Sequence, residues 1–320
     1  MAPIRSTTAL VALASMIGVA GLTGCSSDGG TSGAGTTAPV PETRTWDNGD
    51  GTTVVIPAAP ERILLVDPDP ATAAVARTTA GDRVVGISVP AEHDAEIERP
   101  GDWTELSPGR APTSASVAEV RPDLIVSHPG AAANDRLGEI APVALLPRDG
   151  GDEWRRISVR AGRLLGTQVA VRSRIRDADD RIAELRAEIA PITTLTPLEV
   201  RPDGMVARRG AHPEPLLDEL GIRLPGALRR AGGTGCCVPI DVDALDRFDA
   251  DYVLVAVDPV PAAEERYAAL TDEPQWRALG AAQREDLHRV NARAWAQATL
   301  PGVETVLDDV DRYVVAAQGG

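Results

Sequence analysis

The sequence has no lysine: all 32 basic residues of the 320-residue chain are arginine, set against 47 acidic ones, and the formal net charge is -15. A face basic enough to neutralise nucleic-acid phosphate is therefore disfavoured. A few guanidinium groups converging locally still allow an anionic or oxygen-rich ligand to be recognised against this acidic background. Cysteine is scarce as well, three in all, which excludes a disulfide framework. Aromatic residues make up only 3% of the chain, with five Trp, three Tyr and one Phe, so stacking surfaces are few. The four histidines, His93, His128, His212 and His288, lie far apart. There is no His-Glu-x-x-His pattern, no Gly-x-Ser-x-Gly elbow and no Gly-rich phosphate loop carrying Lys. An enzyme is not expected, and binding is the default reading.

At the start of the chain stand Arg5, an apolar run from Thr8 to Ala20, and Leu22-Thr23-Gly24-Cys25. Charged, apolar and small-residue regions in that order predict a secretion signal over residues 1–24. The apolar run falls short of the roughly 20 residues needed to span a membrane. Ser26 to Ala38 is rich in Ser, Gly and Thr and reads as a flexible tether. The four residues ending at Cys25 resemble the bacterial lipobox, which implies lipidation of Cys25, a tether over 25–43 and an anchor on the outer face of the plasma membrane. Two or more acyl chains suffice for stable anchoring. With Cys25 lipidated, only the neighbours Cys236 and Cys237 remain. Consecutive Cα atoms are about 3.8 Å apart, whereas disulfides prefer about 5.5 to 6 Å. A vicinal disulfide and two reduced thiols both stay open, and no metal is expected, because the pair lacks zinc-ligand spacing.

About 280 residues remain beyond signal and tether, with 43% of the chain hydrophobic, enough for one large or two medium domains. Arg62–Val66, Arg83–Ser88, Pro122–Ser127 and Val143–Leu146 are short apolar strands. Thr72–Thr79, a short helix ending with Val117–Val120, and Asp135–Ile140 are helical in composition and separate them. This alternation predicts a parallel, doubly wound sheet that binds ligands at the carboxyl ends of its strands. Between Glu153 and Ile189 the apolar residues keep helical periodicity. One helix over 152–190, about 55 Å long and kinked near Gly166, is expected to join an N-terminal lobe, 44–151, to a C-terminal lobe, 191–320. In the second lobe Leu198–Val200, Met205–Ala207 and Tyr252–Val257 predict strands, and Glu214–Leu220 and Thr305–Ala316 predict helices. The expected fold is α/β, two doubly wound α/β lobes joined by a single long linker helix.

Several fragments in this order resemble one family over residues 60–316. They are Pro60-Glu61-Arg62-Ile63, Asp82-Arg83-Val84-Val85-Gly86 and Val120-Arg121-Pro122-Asp123-Leu124-Ile125. The linker helix comes next, then Asp249-Ala250-Asp251-Tyr252-Val253-Leu254, Gln275-Trp276-Arg277-Ala278-Leu279 and Leu287-His288-Arg289-Val290. Together they resemble the extracytoplasmic solute-binding lipoproteins of ATP-driven importers for ferric siderophores, haem and cobalamin, the class with a helical backbone. The resemblance implies a ligand held in an interlobe cleft with modest closure, a small-molecule iron chelate as cargo and an ABC permease as partner. It also implies a monomer with no cofactor of its own.

By position, the resemblance places Arg208 and Arg209, Trp103, Arg110, His128 and Trp295 at the ligand, with His93 and His212 near it. Arg forks and Trp planes suit an oxygen-rich iron complex of the hydroxamate or citrate type. For haem, His128, His93 or His212 would be the axial ligand. Relatives dock on the permease through an acidic residue on each lobe. Here that position is Asp243 on the second lobe, but Ala115 on the first, with Glu119 nearby. Ala115 and the sparse aromatics also leave open a same-fold envelope lipoprotein that acts as a scaffold or interaction partner.

Overall fold

The computed structural model describes residues 42–131, 133–148, 154–231 and 235–319. The expected secretion signal and Cys25 lie outside the described residues. First comes an antiparallel hairpin of β1 (Thr43–Asp47) and β2 (Thr53–Pro57), in register from Thr43 opposite Pro57 to Asp47 opposite Thr53. Its turn is closed by short polar side chains: Asp47 accepts from the Gly49 N–H at 2.8 Å and Asp50 from the Thr52 N–H at 2.9 Å. Trp46 buries its ring and donates its indole N–H to the Leu145 carbonyl at 3.3 Å, which docks the hairpin on the first lobe.

That lobe contains β3 (Ile63–Val66), α1 (Pro70–Thr79), β4 (Val84–Ser88), α2 (Ser114–Val120), β5 (Leu124–Ser127), α3 (Asn134–Leu137) and β6 (Val143–Leu145). Its four strands run parallel in the order β4-β3-β5-β6. Side chains alternate between the two faces of such a sheet. Ile63, Leu65, Leu124 and Val126 join the main core, while Leu64, Val66 and Ile125 pack with Val117 of α2 and Leu137 of α3. Both faces are covered, which is why β3 and β5 are buried along their whole length. Strand order reverses between β3 and β5, so the loops leaving them diverge and open a crevice at the carboxyl ends.

The helical connection is present in two segments, α4 (Trp154–Leu164) and α5 (Gln168–Glu188). Gly166 adopts the left-handed conformation, φ 70°. The Thr167 N–H reaches back to the Gly162 carbonyl at 2.7 Å, and the Gly166 N–H to that of Arg163 at 3.4 Å. This pair of bonds is the Schellman pattern that ends helices at glycine. The turn also brings the segments together, because a Cβ on Gly162 would lie 2.8 Å from the Val171 side chain. Instead of a single rod of about 55 Å, the chain turns a corner and continues along α5, whose 21 residues span about 31 Å.

The second lobe consists of β7 (Leu195–Arg201), β8 (Gly204–Arg208), α6 (Glu214–Glu219), α7 (Gly226–Arg230), β9 (Cys237–Ile240), β10 (Tyr252–Val257), α8 (Pro261–Asp272), α9 (Pro274–Arg277), α10 (Gly280–Gln283), β11 (Leu287–Val290), α11 (Ala292–Ala296) and α12 (Leu300–Val310). Its sheet runs β11-β10-β7-β8-β9. The first three strands are parallel, and β8 and β9 add an antiparallel pair at the edge. Each lobe ties its first strand down with an aspartate from the strand beside it. Asp123 accepts from the N–H groups of Glu61 and Arg62 at 2.7 and 3.0 Å, and Asp251 from the Thr194 N–H at 2.8 Å and its hydroxyl at 2.7 Å. Among the described residues no helix is long and apolar enough to cross a membrane.

Candidate functional site

Each strand of the first lobe delivers a polar side chain just beyond its carboxyl end: Asp67 after β3, His93 after β4, His128 after β5 and Arg148 after β6. The four converge. The Asp67 carboxylate meets His93 Nδ1 at 2.8 Å, His128 Nε2 at 2.9 Å and Arg148 Nη1 at 2.9 Å. Asp67 holds a left-handed backbone, φ 45°, a conformation that costs a non-glycine residue about 1 to 3 kcal/mol. The clamp that holds it includes its own N–H, which donates to the Ser88 carbonyl at 2.8 Å. Arg148 also donates to the Pro68 carbonyl at 2.7 Å and pairs with Glu96 at the end of the segment Ala91–Glu96.

The facing wall is built around a buried ion pair. Arg208 at the end of β8 gives Nη1 to Glu199 of β7 at 2.7 Å, Nε to the His212 carbonyl at 2.8 Å and Nη2 to the Ala296 carbonyl at 2.9 Å. Burial alone would raise the pKa of Glu199. Hydrogen bonds from Arg201 and Arg208, together with their charges, outweigh that and hold it below the usual carboxylate value. His212 is buried and gives Nε2–H to the Ala294 carbonyl at 2.9 Å. Burial lowers its pKa to about 4; the Ala294 bond opposes that and the Arg208 charge adds to it.

Between the walls lies a cavity of about 430 Å³, within the range of small-molecule sites. Asp69, Glu96 and Arg148 line it from the first lobe, and Arg208, His212, Cys236 and residues 296–299 from the second. A neighbouring cavity of about 380 Å³ runs between α1 and the α11–α12 region. Pro70, Glu96, Gln297 and Thr299 line both, and there the lobes touch: Gln297 Nε2 donates to the Glu96 carbonyl at 2.8 Å and Arg293 to that of Ala95 at 3.2 Å.

Of the six ligand contacts expected from the sequence, Arg208 alone lines the cleft, and its donors are engaged within the protein. Trp103 is a correction. Its ring is 7% exposed and its N–H donates to the Gly81 carbonyl, so it packs in the core. Trp295 is likewise corrected: 1% exposed, it bonds Asp309 at 2.8 Å and leaves Ala296 and Gln297 to face the cavity. The Arg209 guanidinium donates to the Ala231 carbonyl, Arg110 is exposed, and His128 belongs to the Asp67 cluster. None of these three lines either cavity. His93 and His128 face Asp67, and His212 is buried on Ala294, so none is placed as an axial haem ligand. Cys236 and Cys237 are joined by a disulfide, with Cα atoms 3.8 Å apart. Asp243 and Ala115 are both exposed. Sequence reasoning missed Asp67, Asp69, Glu96, Arg148 and Gln297. Asp67 and Arg148 carried a positional signal, since each lies just past the carboxyl end of a parallel strand.

Two α/β lobes, helices connecting them and a ligand-sized cleft at the strand ends define a solute-binding protein. The chain belongs to the periplasmic binding protein family, whose pattern it matches over residues 66–293. That family is extracytoplasmic and consists of binding proteins rather than enzymes. A search of curated proteins found no match. Among solved structures the chain is similar to Staphylococcus aureus SirA complexed with staphyloferrin B, at 16% identity and a TM-score of 0.62, covering 85% of this chain and 98% of that one. It is also similar to the FhuD protein from S. pseudintermedius, at 17% identity and a TM-score of 0.62, covering 86% and 99%. A siderophore periplasmic binding protein from the fuscachelin gene cluster of Thermobifida fusca gives 21% identity and a TM-score of 0.64, covering 81% and 98%.

Proposed function

We propose that the protein binds a ferric siderophore in the interlobe cleft and delivers it to an ABC importer as a lipid-anchored monomer, tethered through Cys25 on the outer face of the plasma membrane. The observation that carries this reading is the cavity of about 430 Å³ at the carboxyl ends of the first-lobe strands, walled by polar groups from both lobes. Structural neighbours described with a siderophore support the ligand class. Docking uses the exposed Asp243 on the second lobe. On the first lobe Glu119 supplies the charge that Ala115 lacks: both are exposed on α2 and lie four residues apart, on one helical face. This placement favours the transport reading over the scaffold reading.

Calorimetric titration with ferric hydroxamates, ferric citrate, haem and cobalamin tests the ligand. Saturable binding of a ferric siderophore supports the proposal. Binding of haem or cobalamin alone replaces the cargo. Silence toward all of them, in a protein that unfolds cooperatively, removes the transport reading.

A further inference from the structure

The side chains of the cleft differ from those suited to an anionic iron complex. Among the described residues none of the nine aromatic side chains lines either cavity. Trp46, Trp154 and Trp276 are buried in the core alongside Trp103 and Trp295, and Tyr267 packs on Trp276. In their place stand Pro70, Ala71, Ile157, Ala211, Ala296 and Ala298. Such a surface fits alkyl chains and amides, and offers no plane on which a catechol ring could stack.

The guanidinium groups are committed as well. Arg208 is held by Glu199 and two carbonyls, and Arg148 by Asp67, Glu96 and the Pro68 carbonyl. Arg77 pairs with Glu98 through one Nη while its Nε has no partner among the described residues, and Arg293 gives one Nη to the Ala95 carbonyl. Of these, only the Arg208–Glu199 pair is buried on both sides, and turning Arg208 toward a ligand would break it and weaken the compensation of Glu199. Along the two cavities five carboxylates, Asp69, Glu96, Glu98, Glu304 and Asp308, face those four arginines, with Glu304 paired to Arg174 behind it. Asp67 stands directly behind Arg148 and cancels more of its positive potential, while Glu199 behind Arg208 is shared with Arg201. His212, at a pKa of about 4, adds no positive charge at neutral pH.

Resting on the siderophore reading above, we infer that this cleft selects ferric complexes of aliphatic hydroxamates with zero or positive net charge and rejects anionic carboxylate and catecholate complexes. Charge acts here at short range in a partly desolvated site, where it counts for more than at the surface.

The test titrates the purified full-length chain by calorimetry with four probes. They are a linear ferric trihydroxamate bearing a free ammonium group, its neutral N-acetylated form, ferric citrate, and a trianionic ferric catecholate. The cationic complex is expected to bind at least about tenfold tighter than either anionic one, with the preference shrinking as salt rises. Asp308→Asn should narrow the gap between the cationic and neutral forms about twofold. Equal or tighter binding of an anionic complex overturns the charge selection and leaves the siderophore reading standing. If no probe binds to cooperatively folded protein, both fall.

Discussion

The Gln297 side chain donates to the Glu96 backbone carbonyl across the interlobe cleft, at 2.8 Å. Glu96 closes a segment held from the other side by Arg148, which is itself fixed on Asp67. The stretch 91–96 therefore crosses between the lobes and takes its position from both. A neutral hydrogen bond contributes about 1 kcal/mol net, so Gln297→Ala should raise the opening equilibrium of this segment about fivefold. Hydrogen exchange at the His93 and Ile97 amides, which bond to Pro90 and Asp94, reads this directly. Unchanged exchange there would show that the contact does not restrain the segment.

Arg208, a ligand contact by its place in the sequence, is instead the partner of the buried Glu199. Without Arg208, Glu199 keeps Arg201 at 2.6 Å as its charged partner, so the loss is about 1 to 3 kcal/mol, the cost of buried acceptors left unpaired. Arg208→Leu is expected to lose stability of that order in urea unfolding. The Arg208→Leu, Glu199→Gln double variant should lose less than the sum of the single changes. Additive losses would mean that the two do not interact.

His212 gives the fold a pH dependence of known sign. Its pKa is about 4 in the folded protein against 6.5 for the free side chain, chiefly because it is buried. The unfolded chain therefore takes up the proton first as pH falls. The stability concerned is complete above about pH 6.5 and drains away between there and pH 4, with about 2 kcal/mol lost from pH 7 to pH 5. Urea midpoints at those two pH values measure it. His212→Gln should remove this part of the slope, and an unaltered slope would assign it to other groups.

The sequence marked strands where burial is complete on both faces. Tyr252–Val257 is a strand over the same six residues that its apolar run predicts, and β3 and β5 differ from expectation only at their first residues. The β1–β2 hairpin was not anticipated, although Thr43–Trp46 and Thr53–Ile56 flank an Asn-Gly-Asp-Gly turn, because both strands are half exposed and carry no continuous apolar run. The site was less legible. Adjacent residues on a helix point about 100° apart, so a placement off by one residue exchanges core for cleft. That is the difference between Trp295, packed on Asp309, and Ala296 and Gln297, which face the cavity. Arg148 escaped notice because periodicity locates β6 but carries no information on the direction the chain takes beyond Leu145.

Gly166 is where the long helical periodicity fails, and its substitution isolates the reason. At φ 70° an alanine there would carry left-handed backbone strain, and its Cβ would also press to 3.3 Å of the Ala58 carbonyl. The strain alone costs about 1 to 2 kcal/mol. Gly166→Ala should therefore lower the urea midpoint by at least that equivalent, while Gly166→Asn, better tolerated in this conformation, should lose less of the strain term. If alanine were neutral, the segment would have to straighten without penalty, joining α4 to α5 as one continuous helix. The close approach of Gly162 to Val171 would then be lost. Gly162→Ala separates these cases: in the cornered structure it must displace Val171, whose side chain would lie 2.8 Å from the new Cβ, whereas in a straight helix alanine would be stabilising.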